Sequence, residues 1–175
     1  MRMTRTALLL MLAAPAALAG QPDACAAYQM DVSAEVDLFQ EQALEVPAGD
    51  RAETAPQIEA GRLYQVKLRP QRGLTYPVTA ARREPDAAQS GGMVRVFIAE
   101  AGRYRVSVDQ PSWVDAIHEG RPLESLDFRS SRECSGPTKI VTFHVPAGAE
   151  LLLQFIDVDR PSLRLAVTPV PPEVW

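Results

Sequence analysis

Seven short apolar runs, each closed by glycine or proline, set the strongest limit on how this chain folds. They are Leu63 to Leu68, Met93 to Ala99, Arg103 to Asp109, Trp113 to His118, Lys139 to Val145, Glu150 to Val158 and Ser162 to Thr168. The first alternates strictly, with Leu63, Gln65 and Lys67 set against Tyr64, Val66 and Leu68, so it predicts a strand with one buried face. Short strands at this spacing predict an all-β fold, an antiparallel, jelly-roll-like β-sandwich of about seven to eight strands. One phrase recurs before these runs: Glu59-Ala60-Gly61-Arg62, Glu100-Ala101-Gly102-Arg103 and Val145-Pro146-Ala147-Gly148. Glycine accepts φ > 0, so each Ala-Gly predicts a hairpin or a corner between sheets.

Other segments read differently. From Asp31 to Leu44 the apolar positions Val36, Phe39, Ala43 and Leu44, with Ser33 as N-cap, predict one short amphipathic helix. Thr79 to Gly92 has almost no bulky apolar residue and predicts an exposed loop. Arg2 and Arg5, the apolar stretch Ala7 to Ala19 and the small residues Ala17 and Ala19 predict a cleavable signal peptide over 1–19. A periplasmic or secreted protein is therefore expected, with an N-terminal segment over 20–57, a sandwich over 58–170 and a proline-rich tail over 171–175. The apolar stretch falls short of the roughly 20 residues that a membrane span needs.

Export bears on the cysteines. Cys25 and Cys134 are the only two, and an even count in an oxidising compartment predicts a disulfide. The alternatives are two free thiols or half of a metal site, but no second Cys or His stands at ligand spacing from either. Loss of Arg2 and Arg5 takes the formal charge from −4 to −6, which argues against nucleic acid as a partner, since phosphate binding relies on clustered Lys and Arg.

The residues that carry chemistry are few. His118 and His144, with Asp115 or Asp157, would make a metal site only if the strands converged. Otherwise each histidine lies at a sheet surface. Asp157 and Asp159 flank Val158 and, beside Arg160, predict a salt-bridged turn or a cation site. No Gly-x-Ser-x-Gly elbow, phosphate loop, dinucleotide fingerprint or His-Glu-x-x-His occurs, so no catalytic residue and no cofactor is expected. Trp113, Tyr104, Tyr64 and Tyr76 are candidates for a carbohydrate platform, because their rings combine an apolar face with a polar edge. Against that stands the reading in which Trp113 fills the core beside the disulfide.

From Ile58 to Val170 the order of the pieces resembles the bacterial pre-peptidase C-terminal domain and related small exported β-sandwiches. The resemblance rests on Phe97 to Val108 with its Ala101-Gly102-Arg103-Tyr104 turn, on Trp113 to Gly120 with Asp115, and on Ile140 to Gly148. It implies a binding or accessory module without a catalytic domain, and the acidic cluster that some members use for calcium is not evident. Cys134-Ser135-Gly136-Pro137-Thr138-Lys139 also resembles a segment of small exported proteins sometimes labelled homogentisate dioxygenases. Non-haem iron needs two His and a carboxylate around open coordination positions, and neither histidine here has a neighbour at ligand spacing. The reading is a non-catalytic exported module whose partner is a glycan or an envelope or secreted protein. Its alternatives are a small metalloprotein or enzyme using His118 and His144, and an accessory subunit docking through its C-terminal tail.

Overall fold

A computed structural model describes residues 25–78 and 84–171; the expected signal peptide and the last four residues of the tail lie outside them. All seven expected runs form strands: β3 (Leu63–Lys67), β5 (Ser90–Ile98), β6 (Gly102–Val108), β7 (Trp113–His118), β10 (Lys139–Val145), β11 (Ala149–Val158) and β12 (Ser162–Pro169). Five more bring the described total to twelve, where seven to eight are expected: β1 (Leu44–Pro47), β2 (Gln57–Ile58), β4 (Arg69–Pro70), β8 (Arg121–Pro122) and β9 (Ser125–Ser130). All five lie at sheet edges. Three have only two residues, and β1 and β9 are largely exposed, so none shows a buried-face alternation.

Sheet A has the order β1-β3-β12-β6-β10-β9, and sheet B the order β2-β5-β11-β7-β8, with β4 also on the outer side of β5. Pairing is mixed where an all-antiparallel fold is expected, because β1 runs parallel to β3 and β2 parallel to β5. The two sheets pack face to face over one apolar core that includes Val66, Val106, Phe143 and Leu165 from sheet A and Val94, Val96, Leu153 and Phe155 from sheet B. At about 25 cal/mol per Å² of apolar surface removed from water, this core is the main stabilising element. Each Ala-Gly phrase lies at a corner between sheets, joining β2 to β3, β5 to β6 and β10 to β11. Gly61 and Gly148 have φ of 77° and 70°, which a side chain would strain.

The expected helix is shorter than its pattern. Helix α1 is Ser33–Leu38, and Ser33 is its first residue, not its cap. The N-cap position is Val32, which has no side-chain cap bond, and Asp31 before it takes up the first helical N–H, its Oδ1 accepting from the Ser33 N–H at 2.9 Å and the Ser33 hydroxyl at 2.7 Å. The chain then leaves the helix because Leu44 to Pro47 pairs with β3. Cys25 and Cys134 are bonded, S–S 2.04 Å. The bridge fastens the N-terminal arm over the outer face of sheet A. There Tyr28 and Val32 cover Ile140, while Leu38 and Phe39 cover Leu63 and Ala166. Of the expected loop over Thr79 to Gly92, residues 79–83 lie outside the described residues and Ser90 to Gly92 already belong to β5.

Candidate functional site

The outward row of β7 carries Trp113 and Asp115, whereas its inward row carries Val114 and Ala116 into the core. Trp113 is 44% exposed. Its contacts correct the expectation of a core tryptophan beside the disulfide: it lies on sheet B, and the disulfide arm covers sheet A. The short β8 pairs only with Ile117 and His118 of β7, so among the described residues the Trp113 end of β7 has no strand on that side. Across this opening lies β9, the edge of sheet A, where Phe128 is 66% exposed opposite Val141 of β10.

Lys139 joins the two aromatic rings. It stands at the start of the inward row of β10, and its Nζ donates to the Ser112 carbonyl at 2.7 Å. The same nitrogen is 6.0 Å from the Trp113 ring centroid and 5.9 Å from that of Phe128, within reach of the attraction between a cation and an aromatic face. Burial lowers the Lys139 pKa, and the nearby Asp115 carboxylate opposes that shift. Asp115 is itself held on both oxygens, by the Trp113 indole N–H at 2.8 Å and by the Gln154 amide at 2.7 Å. Gln154 is fully buried and also donates to the Val78 carbonyl. The rim of the sandwich thus presents two apolar rings beside a cationic donor and an anionic acceptor.

The other aromatic candidates do not join this cluster. Tyr64 points into the core, and its hydroxyl accepts from the Glu59 N–H. Tyr104 lies at the opposite end of the sandwich, in a groove of about 660 Å³ with Ile58, Phe97 and Pro169. Tyr76 braces the outer side of sheet B, donating to the Phe155 carbonyl at 3.0 Å. It sits so close to Gly91 that a Cβ there would fall 2.1 Å from its hydroxyl oxygen.

The two histidines lie on different sheets. His118, on sheet B, has Nδ1 3.3 Å from the Glu150 carbonyl, and His144, on sheet A, is exposed opposite Arg103. Asp157 adopts φ 57° at the irregularity between β11 and β5. Its Oδ1 accepts from the Gln71 amide at 2.7 Å and the Asp86 N–H at 2.8 Å, and Asp159 accepts from Gln89. These bonds tie Gln71, Asp86 and Gln89 to the end of β11 and the turn that follows it. No cluster of three His, Cys, Asp or Glu side chains suited to a metal occurs among the described residues.

A second polar feature lies under helix α1. Glu35 is fully buried, its carboxylate 3.1 and 3.2 Å from the Arg105 guanidinium and 2.7 Å from the Thr168 hydroxyl. Arg105 also donates to the Asp31 carbonyl. The pair forms the floor of a groove of about 580 Å³ on the outer face of sheet A, with Arg103, Leu126 and Asp127 on its walls. Phe128, Lys139 and this ion pair have no signal in local sequence. Phe128 sits on a strand without alternation, and Glu35 and Arg105 are 70 residues apart.

No family model matches the chain, and no curated protein matches it. Among solved structures it is similar to a β-glucosidase from Paenibacillus barengoltzii at 14% identity and a TM-score of 0.28, over 71% of this chain and 13% of that one.

Proposed function

We propose that this protein is a non-catalytic exported binding module that takes a carbohydrate at the Trp113, Lys139 and Phe128 rim. The observation that carries the reading is the pair of exposed rings on either side of a half-buried ammonium group. Sugar rings expose C–H faces that stack on aromatics, and their hydroxyls need both donors and acceptors at the edge; Lys139 and Asp115 supply one of each. The Asp115 bonds to Trp113 and Gln154 hold the indole in place before a ligand arrives, which lowers the ordering cost of binding. The scaffold suits such a role. Strands β3, β5 to β8 and β10 to β12 follow a jelly-roll order, and the resemblance to pre-peptidase C-terminal sandwiches points to an accessory module. The disulfide agrees with a periplasmic or secreted location.

A glycan array followed by calorimetry tests the reading. Wild-type protein should bind at least one class of glycan, and Trp113→Ala or Phe128→Ala should each weaken that binding by about tenfold, equivalent to about 1.4 kcal/mol. A folded double variant that binds as well as wild type would remove the rim from the site, and a wild type that binds no glycan would reject the function.

A further inference from the structure

We propose that strand β9 is a self-pairing edge, through which two copies of this chain form an antiparallel, two-fold symmetric dimer centred on Phe128. The dimer shares Phe128 with the proposed sugar rim, so its test uses no glycan and changes only Asp127 and Arg129. Among the described residues, strand β9 pairs with β10 on one side only and is the last strand of sheet A. An edge strand displays unpaired backbone N–H and C=O groups, which lysine, proline, a bulge or a covering segment normally blunts. Within Ser125–Ser130 there is neither lysine nor proline, and the one bulge, at Leu126, lies toward the start of the strand and leaves Asp127 to Ser130 in regular register with β10. Phe128, in that regular part, is 66% exposed.

The side chains select a second copy as the occupant, and they also select one register. Placing Phe128 opposite the same residue of the second copy sets Asp127 opposite Arg129 on both sides of the axis. Both charged residues of the strand then face their opposites, and two phenyl rings meet at the centre, the cross-strand arrangement that stabilises a sheet. Moving the axis to Asp127 or Arg129 sets like charges against each other. An axis between residues 127 and 128, or between 128 and 129, removes the ion pairs. Self-complementarity about a single axis is what an isologous interface requires. In the single chain Asp127 and Arg129 already pair at 3.0 Å on the outer face of β9, so both side chains stand on one side of the strand and need only turn toward the partner. Joining the two copies makes one sheet of sheet A and its mate, and places the two Phe128 rings side by side on the inner row.

Sedimentation equilibrium of the oxidised full-length mature protein, without any glycan, is the test. The mass should rise from one chain to two with concentration. Asp127→Arg and Arg129→Asp should each set like charges across the axis and hold the protein as a monomer at concentrations where wild type is mostly dimer. The double variant D127R with R129D restores opposite charges in the same register and should dimerise again. Circular dichroism checks that each variant is folded. A monomeric wild type at all concentrations overturns the proposal, as does a double variant that stays monomeric while folded. Dimerisation of either single variant as readily as wild type overturns the register.

Discussion

Lys139 holds a positive charge where the sandwich narrows, bonded to the Ser112 carbonyl and flanked by two rings. Burial lowers its pKa below 10.5, with Asp115 acting against the shift. The unfolded chain therefore binds this proton more readily than the folded one, between the lowered folded value and the ordinary value of 10.5. Stability contributed at this position must rise as pH climbs through that window. Urea unfolding of wild type and Lys139→Met at a series of pH values isolates the effect, because other groups titrating in the alkaline range, such as Tyr28 with its pKa raised to about 12, are common to both. Wild type should gain on the variant as pH approaches 10.5. A difference independent of pH up to that point would show that the ammonium group is not desolvated. Sequence reading singled out Trp113 here but not Lys139 or Phe128, because their proximity depends on β9 and β7 facing each other across the gap that β8 leaves open.

Among the elements, the N-terminal arm depends most on a single bond. Among the described residues it contributes no strand before Leu44, and its attachment to sheet A includes Tyr28, Val32, Leu38 and Phe39 over Ile140, Leu63 and Ala166, with the Glu35 and Arg105 pair beneath. The bond between Cys25 and Cys134 closes a span of 109 residues. On the chain-entropy account, cross-linking a loop of that length stabilises a fold by roughly 4 to 5 kcal/mol. Replacing both cysteines by serine should lower the unfolding free energy by about that amount in denaturant titrations. Amide exchange should quicken first over Ala26 to Phe39. A loss below about 1 kcal/mol would mean that the apolar cover alone holds the arm. The arm also shows what pattern reading can recover. The cysteine pairing was legible from an even count together with the expectation of export, and the helix from its spacing, but not the helix length, since Leu44 to Pro47 has as good a partner in β3 as in another helical turn. The corner glycines Gly61 and Gly148 were legible because φ > 0 restricts residue choice, although Gly102, in the same phrase, starts β6 without a positive φ; β9, exposed on both faces, leaves no period to detect.

At the scale of the whole molecule, order in the sequence and order in the sheets diverge. Strand β12 sits between β3 and β6, and β11 between β5 and β7, so the last strands complete pairings with the first. Val66 faces Leu163, and Val94 faces Leu153. Local pattern predicts the strands but carries no information about these partners, which is why the class of fold was readable and the mixed edges were not. The same arrangement governs folding. Neither sheet can form its centre until most of the chain is present, and the entropy of closing those long loops is lost before the core contacts offset it. Stopped-flow refolding of the disulfide-intact protein, followed by far-ultraviolet circular dichroism, should therefore proceed over about milliseconds to seconds, the range of sandwiches rich in non-local pairs. Truncation at the start of β12 should abolish cooperative folding, because it exposes β3 and β6 together and removes Leu163, Leu165 and Val167 from the core. A main phase within tens of microseconds, or a cooperative transition in the truncated chain, would mean that a subset of local strands folds alone and that β12 only docks afterwards.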